Sequence, residues 1–322
     1  MNIRMMKCVA VVLVLAASAL AQTWVEFSVS SEGVGTSPLG INASGQVAGW
    51  YIHNSHFLGF VRNADGTIIK LSAPKGTYLE ATTINTAGVV AGNMLYDYNQ
   101  NVGFYGPAAG PFQEFGSNRT YVGGINDAGY VAGTHVHEQC CTTGFLLKPN
   151  GEVTGFPIAK YGTVTGINNS NQIVGYTIDE AGDRGFLYES GKITHLNVHE
   201  AADTLVAGIN DSGEAAGGWL DSSNVFHGFL WTQAQGFTSF DVPHATATQA
   251  SAINSGGVVV GSFSDTSGHS HGFIRDAAGH FTTLSAPHAL NTYPAGINAS
   301  GQVTGSYTIG TRQVYHGFIY TP

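Results

Sequence analysis

The chain has 322 residues, of which 10% are charged, with 12 Lys and Arg against 21 Asp and Glu and a formal net charge of −9. A net acidic chain with scattered cations displaces few phosphate counterions, so this composition argues against a nucleic-acid partner. The 44 glycines and the abundant Ser, Thr and Asn are typical of a turn-rich β protein rather than a helical one.

The first element along the chain is predicted to be a secretory signal peptide over residues 1–21. Arg4 and Lys7 precede an apolar run, and Ala19-Leu20-Ala21 forms a small-residue cleavage site. The run is too short for a membrane span, and the alternative is a buried N-terminal strand. We expect a protein secreted to the periplasm or beyond, without membrane insertion. Cleavage would remove two cations and change the net charge from −9 to −11.

A repeat of 41–44 residues follows. Each copy contains Ile-Asn, a Gly seven residues after the Asn, and a Gly-Phe pair further on. The repeated Asn residues are Asn42, Asn85, Asn126, Asn168, Asn210, Asn254 and Asn298. The repeated Gly residues are Gly49, Gly92, Gly133, Gly175, Gly217, Gly261 and Gly305, and the Phe residues are Phe60, Phe104, Phe145, Phe186, Phe229, Phe273 and Phe318.

Each copy is predicted to form four short strands. Asn-x-x-Gly after the first strand indicates a tight turn that the Asn side chain caps and that a left-handed Gly closes. The fourth copy has Asn171 instead, the other residue that tolerates this conformation. Four strands in such a repeat are typical of a propeller blade, and the absence of a 3.6-residue period excludes helical solenoids.

The two ends of the repeat array complement each other. The seventh copy stops four residues after Phe318, before its fourth strand. Thr23–Val29 is predicted to be an additional strand that precedes the first copy of the repeat. We expect this strand to complete the seventh blade and close the ring, which removes an exposed edge. The sequence therefore predicts an all-β fold, one seven-bladed β-propeller domain over residues 22–322, and a monomer.

The repeat resembles a known family. Gly-Ile-Asn-x-Ser-Gly-x-Val-x-Gly, then His-Gly-Phe, then Phe-Thr-Thr-Leu-x-Ala-Pro is similar to the bacterial extracellular HAF-repeat proteins over nearly all of residues 22–322. The chain differs from the family in two ways. It has Gly where the family name has Ala, and His precedes Gly-Phe only in three copies, at His227, His271 and His316. The resemblance implies export and a repeated β architecture, and it assigns no catalytic residue.

Function is expected on one face of the ring. In a four-stranded meander, the loops between the second and third strands and between successive blades emerge together, and we call this side the variable-loop face. Variable loops on a rigid scaffold carry function. The candidate ligand-binding residues there are His53, Tyr78, Glu80, Arg119, Tyr121, His135, His137, Tyr161, His199, His244, His288 and Tyr293, with His56, Glu200, Asp203 and His269 beside them.

Several of these residues have a structural interpretation too. His135 and His137 have the spacing of metal ligands. A set of three ligands without the spacing of a known metal-binding family is a weak signal for a metal site, so we predict no metal and no cofactor. The repeated His residues before Gly-Phe are interpreted as structural hydrogen bonders. The aromatic residues after the repeated Gly are interpreted as inter-blade core rather than as a sugar-stacking surface: Trp50, Tyr51, Tyr176, Trp219, Phe263 and Tyr307.

Cys140 and Cys141 are the two cysteines after residue 21. An oxidising compartment favours their pairing, although adjacent Cα atoms lie only about 3.8 Å apart, below the usual disulfide range of roughly 4.4–6.8 Å. A strained vicinal disulfide, two free thiols, a metal site with His, and an intermolecular bridge remain open.

No linear catalytic motif is present, although a propeller can assemble an active site from several blades. The leading hypothesis is a secreted binding or scaffold module for a glycan or peptide. The alternative is a polysaccharide-cleaving lyase or hydrolase that uses His and Tyr as acid and base. A central pocket with convergent His, Tyr and Arg would favour the enzyme.

Overall fold

The computed structural model describes residues 22–30, 35–72, 78–96, 100–117, 119–137, 141–158, 160–179, 182–310 and 314–322. Within these residues the chain forms 28 strands and no helix. The strands make seven four-stranded antiparallel sheets. The protein is therefore a seven-bladed β-propeller, as the repeat predicts.

The strands are numbered in chain order and grouped here by their place in the blade. The first strands of blades 1 to 7 are β2 (Thr36–Ile41), β6 (Tyr78–Ile84), β10 (Thr120–Ile125), β14 (Tyr161–Ile167), β18 (Asp203–Ile209), β22 (Ala247–Ile253) and β26 (Asn291–Ile297). The second strands are β3 (Val47–His53), β7 (Val89–Leu95), β11 (Val131–Val136), β15 (Ile173–Asp179), β19 (Ala215–Leu220), β23 (Val259–Ser264) and β27 (Val303–Ile309).

The outer two strands of each blade complete the list. The third strands are β4 (His56–Arg62), β8 (Asn101–Pro107), β12 (Thr142–Leu147), β16 (Gly182–Glu189), β20 (Phe226–Thr232), β24 (Ser270–Arg275) and β28 (Val314–Thr321). The fourth strands are β5 (Ile68–Lys70), β9 (Gln113–Phe115), β13 (Val153–Pro157), β17 (Lys192–Leu196), β21 (Gly236–Phe240), β25 (Phe281–Leu284) and, in blade 7, β1 (Thr23–Phe27).

The N-terminal strand completes the seventh sheet. β1 pairs with β28 in antiparallel register from Thr23↔Thr321 to Phe27↔Gly317. The Trp24 ring packs on the ring of Phe318 at a centroid distance of 5.1 Å. The first strands of neighbouring blades contact one another around the whole ring, so they surround the axis and the fourth strands lie outermost.

The repeated Gly and Phe residues form the interior of each blade. All seven Phe rings of the Gly-Phe pairs are buried, with 0–5% of their surface exposed. The repeated Gly of the second strand lies beside this ring and beside a main-chain carbonyl of the first strand. At Gly92, for example, a Cβ atom would collide with the carbonyl oxygen of Glu80. Each first strand has a β-bulge close to this contact, so the Gly is required by close backbone approach.

The repeated Asn residues do more than cap their own turns. Their side chains are buried, with 3–6% of the residue exposed, and in each the Oδ1 atom accepts a hydrogen bond from the main-chain N–H four residues later. Each Nδ2 also donates to the carbonyl of the repeated Asn in the next blade, at 2.9–3.1 Å. The last of these bonds runs from Asn298 to Asn42, so the seven bonds form a closed ring, called here the Asn ring.

The left-handed position of the turn also agrees with the prediction. Asn171 has a φ of 60°, and the corresponding Gly45 in blade 1 has a φ of 76°. Asn171 adds one further link, because its Oδ1 accepts a hydrogen bond from Nδ2 of Asn126 at 2.9 Å. The side of the ring that carries these turns is called the turn face.

Asn254→Ala should destabilise the protein by about 2 kcal/mol, because it removes one bond of the Asn ring and leaves the main-chain N–H groups of Gly256 and Val258 without their acceptor. The measurement is equilibrium urea unfolding. Ser255→Ala is the matched control, since Ser255 is the exposed neighbour in the same turn and should change stability by less than about 0.5 kcal/mol. Equal effects of the two substitutions would contradict a stabilising role for the ring.

Deletion of residues 23–29 should cause aggregation or a marked loss of thermal stability, because it leaves the edge of β28 unpaired. Size-exclusion chromatography and thermal unfolding of the chain with and without the segment measure this effect. A monomeric deletion variant with unchanged unfolding would show that β1 is dispensable for closure.

Candidate functional site

The cavities on the propeller axis are lined by the repeat itself. One of about 230 Å³ lies at the Asn ring, and another of about 260 Å³ lies further along the first strands. Their lining residues are Ile, Leu, Asn, Asp, Ser, Thr, Ala and Gly. Among the described residues, no His, Tyr or Arg converges on either cavity, so the central arrangement that would favour the enzyme hypothesis is not formed there.

A larger cleft of about 490 Å³ lies away from these cavities, between blades 1, 2 and 3. Its lining residues are Ser55 and Phe57 of blade 1, Tyr78, Glu80, Asn93, Leu95 and Asn101 of blade 2, and Tyr121 of blade 3. We call it the Tyr78–Tyr121 cleft. Three of the predicted site residues, Tyr78, Glu80 and Tyr121, therefore come together on the variable-loop face.

Strand pairing explains why five residues of blade 2 share this cleft. Tyr78 and Glu80 alternate along β6, and their partners on β7 are Leu95 and Asn93. Leu95 in turn pairs with Asn101 at the start of β8. Because side chains two residues apart project from the same face of a strand, the variable-loop ends of three adjacent strands present one continuous patch.

The aromatic groups of the cleft are held by ring contacts from blade 1. The Tyr78 ring stacks on His56 at a centroid distance of 5.2 Å and an interplanar angle of 19°. Phe57 lies 6.1 Å from the same ring. The turn before His56 consists of Asn54 and Ser55, both with positive φ, as in the two-residue hairpin turns that keep adjacent strands in register. Tyr121 on the opposite side is 45% exposed and offers ring surface to a ligand.

The polar groups of the cleft include one carboxylate and two amides. Burial raises the pKa of the Glu80 carboxyl above its ordinary value, because the charged form loses hydration. The Oδ1 atom of Asn101 is buried and has no hydrogen-bond partner in the described part of the chain. Asn93 is already engaged, since its Oδ1 accepts the main-chain N–H of Val122 at 2.9 Å. The Oδ1 atom of Asn101 is enclosed by the protein, so the Glu80 carboxylate is the acceptor that a ligand would meet.

Blade 3 holds the two predicted histidines that lie together. The rings of His135 and His137 are 4.7 Å apart in an edge-to-face arrangement. Burial, with a smaller contribution from His137, lowers the pKa of His135. His135 is hydrogen-bonded to Thr120 at 3.1 Å and His137 to Thr143 at 2.8 Å. No group of three metal-ligating side chains occurs among the described residues.

The predicted residues of the inter-blade turns are spread over separate blades. His244 and His288 are exposed and, like Glu200 beside His199, have positive φ of 59–67°. In these turns the N–H of the following Ala bonds to the carbonyl three residues earlier, so the residue at this position serves the turn geometry.

Four predicted residues lie outside the cleft on strands or strand ends. His53 ends β3 beside Asn54, and the carbonyl of Arg119 accepts the N–H of Val136. Tyr161 is 48% exposed. The ring of Tyr293 lies 6.4 Å from that of Tyr315.

The histidines of the repeated His-Gly-Phe segment have partners within their own blades, which agrees with the structural interpretation. His227 lies 3.0 Å from both oxygens of Asp241 and stacks on Trp219. His271 lies 2.9 Å from Asp265 and holds the pKa of that carboxyl at about 2. His316 stacks on Tyr307 at 5.2 Å.

The aromatic residues after the repeated Gly divide into two groups. Tyr51 and Tyr307 are buried, each with 3% of the surface exposed. The other members of the set, Trp50, Tyr176, Trp219 and Phe263, are half-buried. The two buried rings belong to the inter-blade core, as the sequence predicts.

The predicted vicinal disulfide falls partly outside the described residues. Cys141 is disulfide-bonded, whereas Cys140, its predicted partner, is not among the described residues. The pairing therefore stays a prediction. Residues 1–21, the predicted signal peptide, also lie outside them.

Sequence reasoning missed five residues that line the cleft: Ser55, Phe57, Asn93, Leu95 and Asn101. Asn101 begins a third strand and Phe57 is the second residue of one, so both follow a variable loop, and this position can be read from the repeat. Their inclusion depends on the packing of blade 1 against blade 2, for which the sequence has no separate signal.

Comparisons with known proteins identify the fold. No family model matches the chain, and no curated protein does either. Solved structures with the same fold include virginiamycin B lyase from Staphylococcus aureus, with 15% identity and a TM-score of 0.61 over 94% of this chain and 99% of that one. A streptogramin B lyase has 14% identity and a TM-score of 0.61 over 92% and 97% of the two chains.

A third structure, the β-propeller domain of the trilobed protease from Pyrococcus furiosus, has 10% identity and a TM-score of 0.62 over 89% and 92% of the two chains. It is described as having an open velcro topology, whereas the present chain is closed by β1. At such identities the likeness shows the fold alone. The described residues contain no helix that is long and apolar enough to cross a bilayer.

Glu80→Gln should stabilise the protein near neutral pH. Because the pKa of Glu80 is raised in the folded chain, its carboxylate favours the unfolded state, and stability falls as the pH rises from the ordinary value of 4.5 through the folded value. Thermal unfolding over a pH series should show a higher Tm for the variant at neutral pH and convergence with the parent below the ordinary pKa.

Glu200→Gln provides the matched control, since the Glu200 side chain is 86% exposed on the same face and should show no such pH-dependent gain. A Glu80→Gln variant that is less stable than the parent at neutral pH would mean that the carboxylate has a stabilising partner in the apo protein.

Proposed function

We propose that the protein is an exported binding module that holds a ligand, a glycan in preference to a peptide, in the Tyr78–Tyr121 cleft. The observation that carries the proposal is the combination of exposed aromatic surface with the Glu80 carboxylate, which has no hydrogen-bond or charge partner among the described residues. Ligand pockets characteristically pair apolar walls with a few placed polar groups. The segment 1–21 and the HAF-repeat resemblance support export.

The chemistry of the cleft suits a sugar. A pyranose ring has apolar C–H faces that pack against Tyr and Phe rings, and its hydroxyls donate hydrogen bonds to carboxylate and amide oxygens. The cleft spans three blades from Ser55 to Tyr121, which suits an extended chain better than a compact ligand.

A peptide main chain finds less to bind. Peptides that add to a sheet need a strand edge with unpaired N–H and C=O groups. β7 is paired with β6 and β8, and β8 is paired with β7 and β9. The other edge of β6 lies against the first strands β2 and β10 of the neighbouring blades. The cleft therefore recognises its ligand through side chains.

Cleavage of a polysaccharide is the second candidate function, because the raised pKa of Glu80 is a property of general acids. Two of the fold neighbours are named as lyases. Glycoside hydrolysis generally uses two carboxyl groups across the scissile bond, however, and the described lining of the cleft contributes one. Binding is therefore preferred. Release of shorter oligosaccharides by the parent, and not by Glu80→Gln, would establish catalysis instead.

A glycan array and a peptide array with the chain from Gln22 onward should give glycan hits, followed by calorimetric titration. Tyr121→Ala should weaken binding about tenfold, equivalent to about 1.4 kcal/mol, because ring surface for the sugar is lost. Tyr161→Ala is the matched control, since Tyr161 is a similarly exposed tyrosine on the same face, at 48% against 45%. Peptide hits alone, or equal losses in both variants, would contradict a glycan site in the cleft.

A further inference from the structure

We infer that the ligand of the Tyr78–Tyr121 cleft is an amino sugar, a glucosamine-type residue whose protonated amine donates to the Glu80 carboxylate while its ring packs against the tyrosines. This inference rests on the proposed function and specifies the class of glycan. It follows from the charge balance of the cleft, from the place of Glu80 in the repeat and from the aromatic walls.

The described lining of the cleft supplies a negative charge without a counterion. Glu80 is its acidic side chain, and no Lys, Arg or His is among the lining residues. The basic ring of His56 lies against Tyr78, and its Nδ1 donates to the carbonyl of Asn54 at 2.7 Å. A partly buried carboxylate without a partner is unfavourable, and a protonated amine compensates it by a charge-assisted hydrogen bond.

The blade architecture does not require this carboxylate. Glu80 pairs with the residue that follows the repeated Gly of β7. In the other six blades the residues with the same pairing are uncharged: Ser37, Tyr121, Thr163, Leu205, Gln249 and Tyr293. Six blades form without a charge at this position, so the fold does not account for the Glu80 carboxylate, and we assign it to the ligand.

The aromatic walls and the net charge favour the same ligand. Aromatic faces attract cations as well as apolar surface, and Tyr78 and Tyr121 provide such faces beside Glu80. The formal charge of −9 gives the protein a field that attracts cationic ligands. A neutral sugar would use the rings and leave the carboxylate without a counterion, whereas an amino sugar satisfies both.

The test is a two-by-two comparison of ligand charge and protein charge by calorimetric titration. The ligands are the hexamers of glucosamine and of N-acetylglucosamine, which differ in the charge of the amine, and the proteins are the parent and Glu80→Gln. The glucosamine hexamer should bind the parent, and the variant should lose about tenfold in its affinity. Affinity for the N-acetylated hexamer should change less than about twofold.

Glu200→Gln removes the same charge from the same face, outside the cleft, and should bind the glucosamine hexamer like the parent. An equal loss in this control would assign the effect to the overall charge and overturn the inference. Equal affinity of the parent for both hexamers, with equal effects of Glu80→Gln, would also overturn it and leave the glycan-binding function standing.

Two further outcomes separate the inference from the proposal on which it rests. Binding of an oligolysine peptide through Glu80, without binding of either saccharide, would overturn the inference that the ligand is an amino sugar. It would still support a positively charged ligand group at Glu80. The absence of binding for saccharides and peptide alike, with Glu80→Gln folded by circular dichroism, would overturn both the inference and the proposed function.

Discussion

In the described part of the chain each strand pairs only within its own blade, so side-chain contacts set how each blade lies against the next. In this chain the Asn ring supplies that constraint at the axis. One amide per blade reaches the main-chain carbonyl of the following blade, and the contact from Asn298 to Asn42 returns to the start. Because a buried amide without partners is costly, a blade that slid along its neighbour would lose this pairing.

The same amide also organises the turn from which it projects. Its oxygen accepts the main-chain N–H four residues later while its nitrogen reaches the next blade. Turn geometry and blade spacing are therefore determined by one side chain. This double use explains why the repeat retains Asn in every copy, whereas the residue that follows it varies from Ala43 to Asp127 and Asn169.

With the turn face and the axis held in this way, the opposite face is free to differ between blades. The position of Glu80 illustrates the difference, because its equivalents include Ser37, Leu205 and Tyr293. The cleft formed there contains groups that a purely structural blade would avoid: a carboxylate whose pKa is raised by burial and an amide oxygen without a partner. Local departures from the rules of a well-satisfied fold are expected at functional sites.

The linear sequence by itself determined the number of blades, the four strands in each, the turns and the closure by β1, because all of these depend on a local pattern that recurs seven times. It also indicated the face on which function should lie. The resemblance to HAF-repeat proteins and the predicted export stay predictions.

Only the tertiary structure decided which of the candidate residues meet. Tyr78 and Glu80 lie 43 and 41 residues before Tyr121, yet they share a cleft with it, whereas His199, His244 and His288 remain apart on three other turns. The reason is that a site between blades depends on inter-blade packing and on strand pairing, as with Leu95 and Asn101. Such contacts join positions that no local pattern relates, and they emerge only when the ring has closed.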